Sequence, residues 1–360
     1  MIGFLATPGF EPALAAELVP VVRDIAVAAP GVVVGEDTGE ALLDPIFARQ
    51  QLPGARLIRG PSVRALAEAA YAALEGPVDA GAGPFTLHAL AVAAAERDDG
   101  DDQDDAITAA AAAADAGLGS RSALVGRETL ALLRKRRRRA FVRYLAPEPF
   151  AAAMNAGATL LQLVALDRTS ALVSAAAPRP LPHGGFSLAP WPGGAAPVPL
   201  DRAPPSRAYR KLEEAFLWMG AAPGAGELCV DLGAAPGGWT MTALKRGARV
   251  VAVDRAKVAV AADARLTVTI GNAFTYTPPR PADWLLCDVI CEPQRTIDLL
   301  GKWLQNRWCR AAVCTVKFKG RSGYGVLAAL PPLLAAAGAR FQRVKQLGHN
   351  KNEVTVMAML

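Results

Sequence analysis

One stretch limits the fold of this chain more than any other. Asp231-Leu232-Gly233-Ala234-Ala235-Pro236-Gly237-Gly238-Trp239 follows the apolar run ELCV and opens a helical pattern, GWTMTALK. Glycines at a strand-to-helix junction let backbone pass close to a ligand with no Cβ in the way. Around this loop the sequence alternates: ELCVDLG, GGWTMTALKRG, ARVVAVD, LTVTIGN, ADWLLCDV, PQRTIDLLGKWLQNRW, AAVCTVKF, a helix through Leu334, and NEVTVMAML. Strands of buried type separated by helices predict an α/β fold with a mostly parallel, doubly wound sheet. Such sheets bind ligands beyond the C-terminal ends of their strands.

The loop also narrows the ligand. The second strand ends in Asp254, placed for a carboxylate that accepts hydrogen bonds from both hydroxyls of a ribose. With Asp231, that puts two carboxylates at two strand ends. The loop reads G-A-A-P-G-G and lacks the second glycine of G-x-G-x-x-G, which lets a pyrophosphate approach a helix N-terminus. A nicotinamide dinucleotide is therefore disfavoured, and a nucleoside cofactor without phosphates fits better.

At 360 residues the chain has room for a second domain. The first half predicts strands at Ile2–Ala6, Val32–Val34, Leu57–Gly60 and Phe85–Val92, with helices from Glu11 to Val22 and from Val63 to Leu74. The acidic run Arg97–Asp105 reads as a solvated loop. An Ala-rich helix follows, then Arg134-Lys135-Arg136-Arg137-Arg138-Arg139 leading into a strand-like AFVRYL. Residues 178–205 are rich in Pro and Gly and read as a linker. The expected division is 1–175, a linker over 176–205, and 206–360.

Composition excludes several classes. The five cysteines are odd in number, form no CxxC pair and mostly sit in apolar strands, as reduced core residues of a cytoplasmic protein do. Neither a signal peptide nor an apolar run long enough to span a bilayer is evident. His88, His183 and His349 are dispersed, without metal-ligand spacing, so no metal is expected and none of them is assigned catalysis. A formal net charge of +6 and a pI near 9.2 suit a polyanionic partner. The basic run Arg134–Arg139 suits phosphate, which guanidinium groups bind bidentately while counterions are released.

Four polar residues in the second half lie at element ends that can converge on the ligand edge of the sheet: Lys211 in SRAYRKLEEAF, Asp288 in WLLCDV, Lys317 in CTVKF and Glu353 in NKNEVTV. VDLGAAPGGWT resembles motif I of Rossmann-like methyltransferases, in the D-L-G-x-x-P-G-G-[WF] form of the heat-shock RNA 2′-O-methyltransferase group. The order of the four polar residues resembles that group's Lys-Asp-Lys-Glu tetrad. PGFEPALAAEL, FARQQLPGA, PPSRAYRKLEEAF and EVTV extend the likeness over nearly the whole chain to the ribosomal large-subunit methyltransferase M family.

That resemblance implies an S-adenosylmethionine-dependent enzyme that methylates the ribose 2′-hydroxyl of a cytidine in 23S ribosomal RNA, with a THUMP-like RNA-binding first domain and a monomeric state. By the same resemblance the cofactor is held by Asp231, Gly233, Ala235, Pro236, Gly237, Gly238, Asp254 and Asp288. Asn272 stands where the family usually has Asp, and its amide oxygen can still accept a hydrogen bond from an adenine amine, without charge assistance. Ala208 replaces a cofactor-contacting serine, so contact there must come through backbone. The catalytic set is Lys317 as proton acceptor, with Lys211, Asp288 and Glu353. A lysine with a pKa near 10.4 must be desolvated or placed beside a cation to act as a base. Lys211 can supply that cation, whereas the two carboxylates favour charged lysine, so base action and hydroxyl steering both stay open. The alternatives are a 2′-O-methyltransferase of another structured RNA and a non-catalytic RNA-binding protein with a methyltransferase fold.

Overall fold

A computed structural model describes residues 1–39, 43–92, 105–147, 150–154 and 157–360. The chain divides into two compact units: residues 1–181 with 186–195, and residues 182–185 with 196–360. The Pro/Gly-rich segment is thus shared between them. Among the described residues no helix is long and apolar enough to cross a membrane.

The first unit holds two four-stranded sheets. In chain order its elements begin with β1 (Ile2–Ala6), α1 (Glu11–Leu18), β2 (Val22–Ala29), β3 (Val32–Asp37), β4 (Ala48–Leu52) and β5 (Arg56–Arg59). They continue with α2 (Val63–Ala80), β6 (Phe85–Ala91), α3 (Asp105–Arg136), α4 (Arg138–Phe141), α5 (Phe150–Ala153), β7 (Thr159–Ala165) and β8 (Ser170–Ala176). One sheet runs β2-β3-β1-β4 and the other β5-β8-β7-β6. Ser62 caps α2 by accepting the Ala65 N–H at 3.1 Å. Leu66, Ala70 and Leu74, one helical face by their four-residue spacing, are buried in one core cluster with Leu161 and Leu163 of β7.

Several expectations need correction here. The first helix stops at Leu18, and Val22 begins a strand instead. AFVRYL is not a strand: residues 138–141 are helical, and Tyr144 makes a single bridge to Phe85. The hairpin of β7 and β8 was not anticipated, although TLLQLVA and SALVSAA are apolar runs joined by a polar turn whose Asp167 accepts the Thr169 and Ser170 N–H groups. The acidic run lies outside the described residues except for Asp105, the first residue of α3.

The second unit is built on seven strands: β9 (Leu228–Leu232), β10 (Arg249–Asp254), β11 (Leu266–Ile270), β12 (Ala282–Cys287), β13 (Cys309–Lys317), β14 (Phe341–Lys345) and β15 (Glu353–Met359). Its helices are α6 (Tyr209–Met219), α7 (Gly238–Lys245), α8 (Pro293–Gln305) and α9 (Leu330–Ala336). The sheet order is β11-β10-β9-β12-β13-β15-β14, with β9 to β13 parallel and β15 antiparallel to both neighbours. The doubly wound expectation therefore holds for this unit. The chain runs outward from β9 to β11 and then resumes at β12 on the other side of β9, so the order reverses between β9 and β12. A crevice opens at such a reversal, outside the strand C-termini. Because β15 runs the opposite way, its first residue, Glu353, arrives at that same edge, in register with Lys317.

Candidate active site

The loop after β9 is shaped by close approaches that only glycine permits. Gly233 adopts φ +78°, and a Cβ there would lie 2.9 Å from Val289 Cγ2. Gly237 adopts φ +119°, where a Cβ would collide with Val260, and one on Gly238 would meet the Ser206 hydroxyl. Asp254 holds this loop from the next strand: its Oδ2 accepts the Ala235 N–H at 2.9 Å and its Oδ1 the Ala256 N–H at 2.8 Å. Each carboxylate oxygen retains a further lone pair for a ligand.

Beneath the loop, Asp231 is wholly buried. The Thr240 hydroxyl donates to its Oδ2 at 2.6 Å, while Oδ1 has no partner. Burial pushes this carboxyl up to about 7, against the opposing Thr240 hydrogen bond. Asn272 turns its amide oxygen to the Phe274 N–H at 3.1 Å, which leaves one lone pair for the adenine contact expected of it. The backbone contact expected at Ala208 is limited by its carbonyl, which takes the Trp239 indole N–H at 2.8 Å and the Lys211 N–H at 3.1 Å.

The four polar residues converge. Lys211, on α6 and only 9% exposed, places Nζ 3.1 Å from Asp288 Oδ2 and 2.9 Å from Glu353 Oε1. Lys317, the last residue of β13, places Nζ 2.9 Å from Asp288 Oδ1 and 2.9 Å from the Asp288 carbonyl oxygen. Asp288 thus lies between two lysine nitrogens. Burial alone would raise its carboxyl, but Lys211 and Lys317 outweigh burial and hold it below the usual range. Burial alone would lower Lys211, yet Asp288 and Glu353 outweigh it and raise its pKa. The carboxylates thus outweigh burial at Lys211, which stays charged.

Other residues complete this cluster without having been singled out. The buried Thr315 donates its hydroxyl to Asp288 Oδ1. It lies two residues before Lys317, on the same strand face, so period-two alternation could have found it. Asn350 Nδ2 reaches Glu353 Oε1 at 3.4 Å, and buried Glu214 takes the N–H groups of Gly348 and His349, fastening the loop before β15 to α6. Asn350 stands only three residues from Glu353, whereas Glu214 acts across 134 and 135 residues and carries no local sequence signal. His349 is pushed down to about 4 by partial burial, with Arg210 adding to the effect.

The basic run is divided by the fold. Arg136 pairs with Glu68 at 2.7 Å and lies over the Tyr71 ring, and Arg137 pairs with Glu75 and, at 3.2 Å, with Asp79. These two therefore bind α2, contrary to a uniform anion-binding run. Arg134, Lys135, Arg138 and Arg139 are exposed. Among the described residues no group of three His, Cys, Asp or Glu could hold a metal ion. Cys229, Cys287, Cys309 and Cys314 are buried free thiols, and Cys291 is half-buried.

A glycine-lined loop at the sheet reversal, a carboxylate on the next strand and a Lys-Asp-Lys-Glu cluster beside them characterise this unit, and residues 204–321 match the family model described as FtsJ-like methyltransferase. That stretch of the unit thus matches an FtsJ-like methyltransferase domain. Among curated proteins the chain is similar to the ribosomal RNA large subunit methyltransferase M of Alkalilimnicola ehrlichii, 38% identical over 47% of this chain and 49% of that one. It is also similar to the protein of the same name from Thauera aminoaromatica, 32% identical over 57% of this chain and 58% of that one. The chain spans about half the length of the curated relatives it matches. Among solved structures, a Burkholderia thailandensis 1,6-didemethyltoxoflavin-N1-methyltransferase with bound S-adenosylhomocysteine is 17% identical, with a TM-score of 0.31 over 43% of this chain and 79% of that one.

Proposed function

We propose that the protein transfers the methyl group of S-adenosylmethionine to the ribose 2′-hydroxyl of a cytidine in 23S ribosomal RNA, acting in the cytoplasm. The observation that carries this reading is the meeting of Lys211, Asp288, Lys317 and Glu353 beside the glycine loop. The residues of the crevice fit the cofactor. Gly233, Gly237 and Gly238, with Ala235 and Pro236, line the loop with no side chain beyond Cβ apart from the proline ring. Asp254 and Asn272 each keep acceptor capacity, and Asp231 keeps an unpartnered Oδ1 below the loop.

The cofactor supplies a methyl group already activated by its sulfonium. The protein's task is then to align a weakly nucleophilic hydroxyl and to take its proton. We assign that proton to Lys317 Nζ. Its two contacts with Asp288 fix the nitrogen, and it is in the neutral amine form that its lone pair can take the hydroxyl proton. Lys211, held charged between Asp288 and Glu353, keeps Asp288 ionised and holds both carboxylates in place.

The exposed residues Arg134, Lys135, Arg138 and Arg139 make the first unit a candidate RNA-binding module, which the resemblance would make THUMP-like. The test is transfer of labelled methyl to 23S ribosomal RNA taken from cells lacking this enzyme, with the product mapped by mass spectrometry. A 2′-O-methylcytidine is expected. Absence of label in that RNA, with cofactor binding intact, would overturn the substrate.

A further inference from the structure

The rim of the candidate site carries one side chain that catalysis does not use. Between Asp288, turned inward to the lysines, and Cys291, whose thiol meets the Thr296 hydroxyl at 3.1 Å, the chain passes through Val289 and Ile290. Val289 covers Gly233 of the cofactor loop. Ile290 instead stands 86% exposed, the most exposed large hydrophobic side chain among the described residues. It lies two residues from the carboxylate that grips Lys317. An apolar side chain on a catalytic lip has no partner within its own unit and gains only when a ligand covers it.

Its surroundings say what that ligand is. The pairing of Lys317 with Glu353 continues one step outward, where the Phe318 N–H bonds the Asn352 carbonyl at 3.0 Å and the Asn352 side-chain amide bonds the Phe318 carbonyl at 2.9 Å. The next step brings Lys319 and Lys351, both exposed, to the same end of the sheet. The Lys319 side chain is 93% exposed and sits 3.4 Å from Glu292, which ties this cationic edge to the loop that bears Ile290. An apolar tip on a loop tied to an exposed lysine matches a nucleotide, which offers an apolar base face and an anionic phosphate. RNA is read where its bases are unstacked, and apolar wedges such as isoleucine separate stacked bases in nucleic acids.

We infer that Ile290 is a nucleotide-positioning residue: it packs on the face of the target base, holding it out of its stack, while Lys319 and Lys351 hold the adjoining phosphates, so that the ribose hydroxyl is presented to Lys317. The inference rests on the RNA reading above.

The test uses the full chain and 23S ribosomal RNA transcribed without modifications, with Ile290→Ser and Ile290→Leu compared with wild type. A fluorescent cytosine analogue at the mapped position reports unstacking. Ile290→Ser is expected to lower kcat/KM by about tenfold, Ile290→Leu to restore it to within about twofold, and cofactor affinity and melting temperature to stay unchanged, since the side chain is exposed. Fluorescence should rise on binding wild type and not on binding Ile290→Ser. Wild-type kcat/KM and fluorescence in Ile290→Ser overturn the wedge while leaving methylation in place. Failure of the wild type to methylate any RNA, with cofactor bound, overturns the proposed function itself.

Discussion

At the scale of single residues, the site works through opposed charges in a confined space. Asp288 is held ionised by the two lysines beside it, and Lys211 is held charged by two carboxylates. Lys317 is the member whose loss should touch chemistry alone. Lys317→Ala is expected to reduce methyl transfer by at least about a hundredfold while leaving cofactor affinity within about twofold, checked by single-turnover transfer and calorimetric titration. Lys317→Arg separates the two roles, since a guanidinium can donate to a hydroxyl and cannot accept its proton; restored activity would mean steering alone.

Asp231 makes a second prediction at this scale. Its folded pKa of about 7 lies above the value of about 3.9 expected when unfolded, so the native state holds the extra proton between those limits. Its contribution to stability is greatest below the unfolded value and is lost as pH rises towards 7. Asp231→Asn, neutral throughout, should therefore gain melting temperature relative to wild type from pH 4.5 to pH 7.5. A difference that stays flat or reverses would mean that Asp231 titrates normally.

At the scale of elements, the decisive piece is the turn between β9 and α7. Its backbone enters positive φ at Gly233 and Gly237, and both places abut valines from neighbouring loops. Gly237→Ala combines a left-handed conformation with a collision at Val260, and should cost about 1–3 kcal/mol of stability. The same change should weaken S-adenosylmethionine binding by about tenfold or more, because the loop must shift to relieve the collision. Chemical denaturation and calorimetry on the same preparation read both effects. The antiparallel β15 is the other informative element, for its reversed direction brings Glu353 to an edge otherwise reached only by strand C-termini.

At the scale of the molecule, net charge and its placement have different consequences. The formal charge of +6 favours a polyanion in general, while the exposed cations on α3, on α4 and just beyond β13 favour particular phosphates. Replacing Arg134, Lys135, Arg138 and Arg139 together by Gln should weaken RNA binding and flatten the plot of log affinity against log salt by about 0.7–0.9 for each phosphate no longer neutralised. Arg136→Gln should leave that slope alone and lower melting instead, because its guanidinium is engaged by Glu68 and Tyr71. An equal effect of both variants on the slope would show that the division of the run by α2 has no bearing on RNA.

The catalytic half was legible because its features are local. A strand, a glycine turn and a helix follow one another within about a dozen residues, and parallel strands buried on both faces spell themselves as runs of Val, Leu and Ile. Lys211, Asp288, Lys317 and Glu353 stand at element ends, where residue type and position identify them without coordinates. The first half was less legible, because strands such as β2 and β4 carry mixed patterns that only their neighbours stabilise, and because AFVRYL has strand-forming residues in a segment that helical pairing claims. Sequence alone thus determined the parallel strands, the glycine loop and the four polar side chains that meet beside it. Tertiary structure decided which lysine is locked between carboxylates, that Thr315, Asn350 and Glu214 support the cluster, and that Arg136 and Arg137 serve a helix. Apart from Asn350, which stands three residues from Glu353, each depends on groups far apart in the chain meeting at distances near 3 Å, where charge and burial outweigh any local preference.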